Sequence, residues 1–260
     1  MLICNNELLR HKEALRLIAE QNQLELLNVE DGNECVKIFN ESFTNPGDPL
    51  TQWLCRMANV SDGVNDERTV IIADYLHRYL CEPILRNGVA LGVRDCMGQQ
   101  RHKGKLVGAM CCRVPGKPSM TRFEMVRNLL TLGVPPQYKY KKAWGEEYAR
   151  RFECLGRLSE ISKRHTRQYK KQYWYIQVFG IVPEWRGRGL ARRFLDSIGQ
   201  VADLEGVPVI LETESESNER LYQHFGYETI EKCDISSSGC TEKRDIWFMV
   251  RKPNQAADIE

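Results

Sequence analysis

The run Pro183-Glu184-Trp185-Arg186-Gly187-Arg188-Gly189-Leu190-Ala191-Arg192-Arg193 constrains this chain more than any other stretch. An apolar extended segment, Tyr173 to Val182, leads into it, and a segment of helical periodicity from Leu190 to about Leu204 follows. The reading is strand, glycine-rich turn, helix N-terminus. Such a turn leaves backbone N–H groups unpaired at the positive end of a helix dipole, which is a seat for phosphate. A nucleotide-triphosphate loop requires Lys-Ser/Thr after its glycines, and none follows here. A dinucleotide fingerprint requires a third glycine where this chain has Arg192, whose length obstructs close helix–strand packing.

The second half of the chain adds a related signal. Val207 to Thr213 reads as a buried strand after the break at Gly206. Ser217 to Glu228 then reads as a short helix, capped by Ser217 and ended by Gly226 in a left-handed conformation. Asn218 and Tyr222 are four apart and share one helical face, with Leu221 and Phe225 on a neighbouring face that is expected to be core.

Arg186-x-x-Gly189-x-Ala191 resembles the acetyl-CoA pyrophosphate loop of the GNAT acetyltransferase superfamily. Asn218-x-x-Leu221-Tyr222-x-x-Phe225-Gly226-Tyr227 resembles that superfamily's second signature. A narrower resemblance, to the puromycin acetyltransferase-like branch, rests on Tyr173 to Gln177, Leu211-Glu212-Thr213, Trp247 to Pro253, Phe39 to Phe43 and Asp48 to Leu54.

The resemblance implies a fold, a co-substrate and a set of roles. The fold class is α/β (α+β): a mixed, mostly antiparallel central sheet with helices on both faces and a helical insertion. Acetyl-CoA is the implied co-substrate, and a primary amine, of a small molecule, the implied acceptor. Phe179, Gly180, Ile181 and Val182 would meet the pantetheine arm. Arg186, Gly187, Arg188, Gly189, Leu190 and Ala191 would seat the pyrophosphate, and Asn218 and Tyr222 would complete the donor site. Tyr222 would protonate the departing thiolate. Gly180 also speaks for itself, since a glycine inside a strand marks a bulge or a close backbone approach.

The base is less direct. Where many family members carry a Glu, this chain carries Gln177, which accepts no proton usefully. Glu212, on the next strand, is the best remaining carboxylate, as base or as holder of the substrate ammonium; His165 is more remote, and a water chain is a further route. Transfer to a protein or peptide amine, and a non-catalytic CoA-binding regulatory module, are the alternative functions; Gln177 is the feature that points to the latter.

Composition bounds the rest. A net charge of only +2 argues against a dedicated nucleic-acid binder. No apolar run reaches 18 residues, so no spanning helix and no membrane partner are expected, and Met1 to Asn6 opens no secretory leader. The ten Cys include no Cys-x-x-Cys pair, and the five His lie far apart. Buried thiols in a reducing, cytoplasmic compartment and no metal site are therefore expected. The chain reads as one acetyltransferase domain over 1–260, monomer or homodimer, with an added N-terminal helix at 1–23, a helical insertion at 118–168 and an acetyl-CoA-binding core at 172–228. The insertion either lies over the substrate mouth or packs on the sheet without touching substrate. Lys163 to Lys171 is a basic run, read first as a solvated face.

Overall fold

A computed structural model describes residues 2–44, 49–55, 67–95, 104–117, 120–144, 150–236 and 243–254. The sequence also suggests a turn at Asn45 to Pro49, a polar loop near Gly98 to Gly104 and a frayed tail after Pro253; of these, 45–48, 98–103 and 255–260 lie outside the described residues. Helix α1 (Leu2–Gln21) precedes a short strand, β1 (Glu25–Leu27). Three helices follow: α2 (Gly32–Thr44), α3 (Pro49–Cys55) and α4 (Glu67–Asn87). The hairpin strands are β2 (Val89–Arg94) and β3 (Leu106–Arg113). Among the described residues, helices α5 (Arg122–Leu132), α6 (Pro136–Lys139), α7 (Lys141–Trp144) and α8 (Glu153–Thr166) come next. The second half alternates β4 (Trp174–Ile181), α9 (Leu190–Glu205), β5 (Val209–Thr213) and α10 (Glu216–His224) before β6 (Glu228–Asp234) and β7 (Asp245–Arg251).

The strands form one seven-stranded sheet in the order β1-β2-β3-β4-β5-β7-β6. Every neighbouring pair is antiparallel except β4 and β5, which are parallel. The expected mixed, mostly antiparallel sheet is what forms, and the reason is local. β2, β3, β5 and β7 are nearly continuous apolar runs, which suits strands covered on both faces. On one face α9 brings Phe194 against Phe179, with ring centroids 5.2 Å apart, and Trp174 donates to Glu205 at 2.9 Å. On the other, α2 and α4 enclose Cys111 with Cys35 and Cys81, and α8 stacks His165 on Phe248 at 4.7 Å.

Of the two alternatives at Gly180 the close approach holds, and it is to α2; the cap and the core face expected for the second-signature helix need correction. A Cβ at Gly180 would lie 2.9 Å from Ser42 Oγ and 3.0 Å from Phe39 Cδ1. The irregularity of the strand sits instead at Gln177, which falls between the paired positions Cys111↔Val178 and Cys112↔Ile176. Helix α10 is capped by Ser215, whose side chain accepts from the Asn218 amide at 3.2 Å, not by Ser217. Leu221 is not core, being 37 % exposed; the inward position on that helix belongs to Tyr222. Strand β6 has no counterpart in the sequence reading. As an edge strand its side chains alternate between exposed and half-buried, so Glu228, Glu231, Lys232 and Asp234 hide the apolar alternation that identifies a strand.

Candidate active site

Strands β4 and β5 pair only at Trp174↔Val209 and Tyr175↔Ile210, next to each other at the start of both strands. Beyond Tyr175 they part, and β4 stays in the sheet through β3 alone. The result is a wedge with one bare strand edge. Antiparallel pairing decides which groups line it. Val182 N–H donates to Val107 O at 3.0 Å, so Val182 faces β3, and by alternation Gly180 does as well. The backbone groups of Phe179 and Ile181 therefore point into the wedge. Of these, Ile181 O accepts from Arg186 Nε at 3.1 Å, which leaves the Phe179 amide and carbonyl and the Ile181 amide directed at the gap.

The glycine-rich turn stands at the mouth of the wedge. Gly187 and Gly189 both adopt φ of 74°, a region that side-chain-bearing residues rarely enter, and nothing lies within 4 Å of either position where a Cβ would stand. Gly189 is the N-cap of α9 and provides no side-chain cap. Among the described residues, no amide from Gly187 to Ala191 donates to a backbone acceptor in a turn or loop. These amides, at the positive end of a 16-residue helix, suit a diphosphate. Leu190 is buried and anchors the helix start, whereas Ala191 is half-buried. Arg186 is engaged in bracing the turn, since its Nη2 donates to Ser42 O at 2.8 Å. Arg188 lies over the Trp185 ring at 4.5 Å and stays exposed.

Tyr222 enters from the α9 side of the sheet. It is 8 % exposed and meets Tyr227 edge-on at 5.6 Å. Burial raises its pKa, and the charge of Glu214 acts in the same direction, so the phenol holds its proton throughout the neutral range. Asn218, one turn earlier, is exposed.

Glu212 stands on the other face. Cys111 turns towards α2 and α4 while its neighbour Cys112 turns towards Tyr222; on β5, Leu211 joins the main core and Glu212 points away from it. Glu212 Oε2 accepts the Tyr175 hydroxyl proton, and its Oε1 is buried with no hydrogen-bond partner. Burial pushes the carboxyl up to about 7, against the pull of its hydrogen bonds from Tyr175 and Ser162. The Tyr175 phenol is raised well above its ordinary range, first by burial and then by Glu212. Beside this pair, buried Arg113 donates from Nε to Gln177 Oε1 at 2.9 Å, with the Glu124 carboxylate as its nearest opposite charge and the Tyr175 and Tyr79 phenols close by. His165 is engaged with Glu231, away from the wedge.

Of the expected site residues, the wedge and turn thus bring together Phe179, Gly180, Ile181, Val182, Arg186 and Gly187 to Ala191. Tyr222 and Glu212 stand on opposite sides of the sheet. Three participants escaped the sequence: Tyr175, Ser162 and Arg113. A signal existed for the last, because an arginine closing the apolar run Leu106 to Cys112 needs a buried partner.

Comparison with known proteins fits this geometry. Residues 95–227, just over half of the chain, match the profile described as the Acetyltransferase (GNAT) family. The chain belongs to that family. An uncharacterized N-acetyltransferase of Schizosaccharomyces pombe is 23% identical to this GNAT protein over 214 residues, which is 82% of this chain and 77% of the yeast protein. Among solved structures, arylalkylamine N-acetyltransferase 2 of Aedes aegypti superposes with a TM-score of 0.57 at 13% identity, covering 89% of this chain and 98% of that one. The Drosophila melanogaster polyamine N-acetyltransferase, which forms N-acetylagmatine, gives 0.52 at 15% identity, covering 88% and 98%. At such identities these likenesses concern the fold. The GNAT acetyltransferase family is shown for this chain; the puromycin acetyltransferase-like branch is not.

Proposed function

We propose that this GNAT protein transfers the acetyl group of acetyl-CoA to a primary amine of a small molecule by direct attack on the thioester. The observation that carries the reading is the wedge itself: a bare β4 edge at Phe179 and Ile181, continuous with two left-handed glycines and an uncapped helix N-terminus. Acetyl-CoA supplies the thioester. The amides of residues 187–191 hold its diphosphate, and the Phe179 and Ile181 groups pair with its pantetheine arm. An amide at the wedge also stabilises the developing oxyanion, an interaction typically worth about 3 kcal/mol in other enzymes.

The two faces divide the proton transfers. Glu212, with its orphan Oε1 and a pKa near neutrality, takes the proton of the acceptor ammonium, and Tyr175 and Ser162 hold its carboxyl in place. Tyr222, kept protonated by burial, delivers a proton to the thiolate from the opposite side. This division accounts for Gln177: the proton acceptor stands on β5, and Gln177 orders Arg113.

The insertion at 118–168 supports a small acceptor. Helix α8 crosses the Glu212 face and brings Ser162 to the carboxyl, so the acceptor side is roofed. Polyamines and arylalkylamines, the classes named for the neighbouring structures, are the first acceptors to test. Thiol release from acetyl-CoA should be followed across polyamines, arylalkylamines, amino acids and aminoacyl nucleosides. Turnover with a small amine supports the reading; turnover with peptide amines alone, or with none, rejects it.

A further inference from the structure

Helix α5 is built inside out. Its two buried side chains are polar: Glu124 Oε1 accepts from Asn87 Nδ2 at 3.0 Å, and Asn128 Nδ2 donates to Tyr79 O at 3.2 Å. Its large apolar side chains face solvent. Phe123 is 73 % exposed and Leu130 80 %, and Met125, Val126 and Leu129 are each more than half exposed. At 100° per residue these five lie within an arc of about 160° on the side away from α4, and Arg122 shares that arc in the first turn. Val134 and Tyr138, just beyond the helix, extend the same exposed apolar character. Single exposed apolar residues are ordinary, whereas a contiguous group marks an interaction surface.

The charges around it identify the partner. Arg122, Arg127, Lys139, Lys141 and Lys142 are all exposed, and the sole acidic residue between Met120 and Lys142 is Glu124, which is buried. A second copy of this chain would set like charges against one another across a symmetric contact. The combination instead fits a surface that is apolar within and anionic at its rim. Such a helix lies in a lipid interface, with Phe and Leu below the headgroups and Lys and Arg beside the phosphates.

We infer that α5, with the segment to Lys142, docks this enzyme on an anionic membrane surface. The long apolar run whose absence argued against a membrane partner is a requirement for spanning, and no described helix is long and apolar enough to span. Peripheral docking needs only an amphipathic face. The inference stands apart from the catalytic reading, because none of the docking residues belongs to the wedge or the glycine turn.

The test is co-sedimentation of the full chain with vesicles of phosphatidylcholine alone and of phosphatidylcholine mixed with phosphatidylserine. Binding to the anionic vesicles, weak on the neutral ones and reduced by salt, is expected. Leu130→Ser and Arg127→Glu should each weaken it about tenfold, with thiol release from acetyl-CoA and the melting temperature unchanged; Leu130→Trp should strengthen it. Absence of vesicle binding, equal binding by all variants, or a sedimentation-velocity dimer dissolved by Leu130→Ser would each overturn the inference, the last in favour of a second copy.

Discussion

The Tyr175 hydroxyl donates its hydrogen bond to Glu212 Oε2 at the point where β4 and β5 lose their pairing, since Tyr175↔Ile210 is the last matched position of the two strands. A carboxyl with a near-neutral pKa therefore sits at the apex of the wedge rather than on its wall. Burial is the main cause of that pKa, and the Tyr175 and Ser162 hydrogen bonds keep it from rising further. The groups facing it are Tyr175 and Tyr173 from β4 and the turn before it, Ser162 from α8, and Arg113 from β3 acting through Tyr175.

This placement predicts the pH dependence of the reaction. With Glu212 as base, acceptor kcat/KM rises through about pH 7 as the carboxyl ionises. Glu212→Gln should remove that limb and lower acceptor kcat/KM about a hundredfold, leaving acetyl-CoA affinity as it was. A pH–rate profile of both proteins checks this, and an unchanged limb in the variant excludes Glu212 as the base.

The same shift has a stability signature. The folded-state pKa of about 7 lies above the ordinary 4.5, so folded protein holds a proton that unfolded chain releases between those values. Stability from this group is fully present below about pH 4.5 and is lost as pH rises through 7, a change of about 3 kcal/mol. His77, lowered by burial to about 4 and hydrogen-bonded to Asn40 at 2.6 Å, acts with the opposite sign in that window. The difference between wild type and Glu212→Gln in urea titrations from pH 4.5 to 8 isolates the Glu212 contribution; a difference that stays flat contradicts the burial of the carboxyl.

Tyr222→Phe keeps the ring against Tyr227 and removes the hydroxyl. Turnover should fall about a hundredfold, with acetyl-CoA affinity held within about twofold. Equal losses in turnover and affinity would show that the hydroxyl serves binding instead of proton delivery.

At Gly189 the prediction concerns backbone conformation. A Cβ there meets no neighbour, so the cost of Gly189→Ala is the φ of 74° alone, about 1–2 kcal/mol for a side-chain-bearing residue. A turn that relaxes to negative φ rotates its amides out of the seat. CoA affinity should drop about five- to thirtyfold, with a melting temperature only a few degrees lower. A variant that binds CoA normally would mean that the turn amides do not grip the diphosphate.

The backbone geometry of the proposed donor half was legible because it is local. Gly187, Gly189 and the start of α9 are contiguous, and their geometry follows from glycine's freedom and the helix end. The acceptor half was not, because it depends on register. Glu212 meets Tyr175 only because a parallel pair forms for two residues and then opens, and Gln177 meets Arg113 only because an extra residue is accommodated there. Strand β6 was missed for want of an apolar face, and α5 was legible as a helix, although its inverted polarity shows only once its neighbours are placed. Periodicity reads which faces differ; it does not say which one turns inward.

The most direct test of the account is isothermal titration of the purified protein with CoA and with acetyl-CoA. Saturable one-to-one binding that Gly189→Ala weakens and Tyr222→Phe leaves intact is the predicted result. No heat of association with either ligand, or binding indifferent to Gly189, would contradict the claim that the opened β4 edge and its glycine turn form the CoA seat.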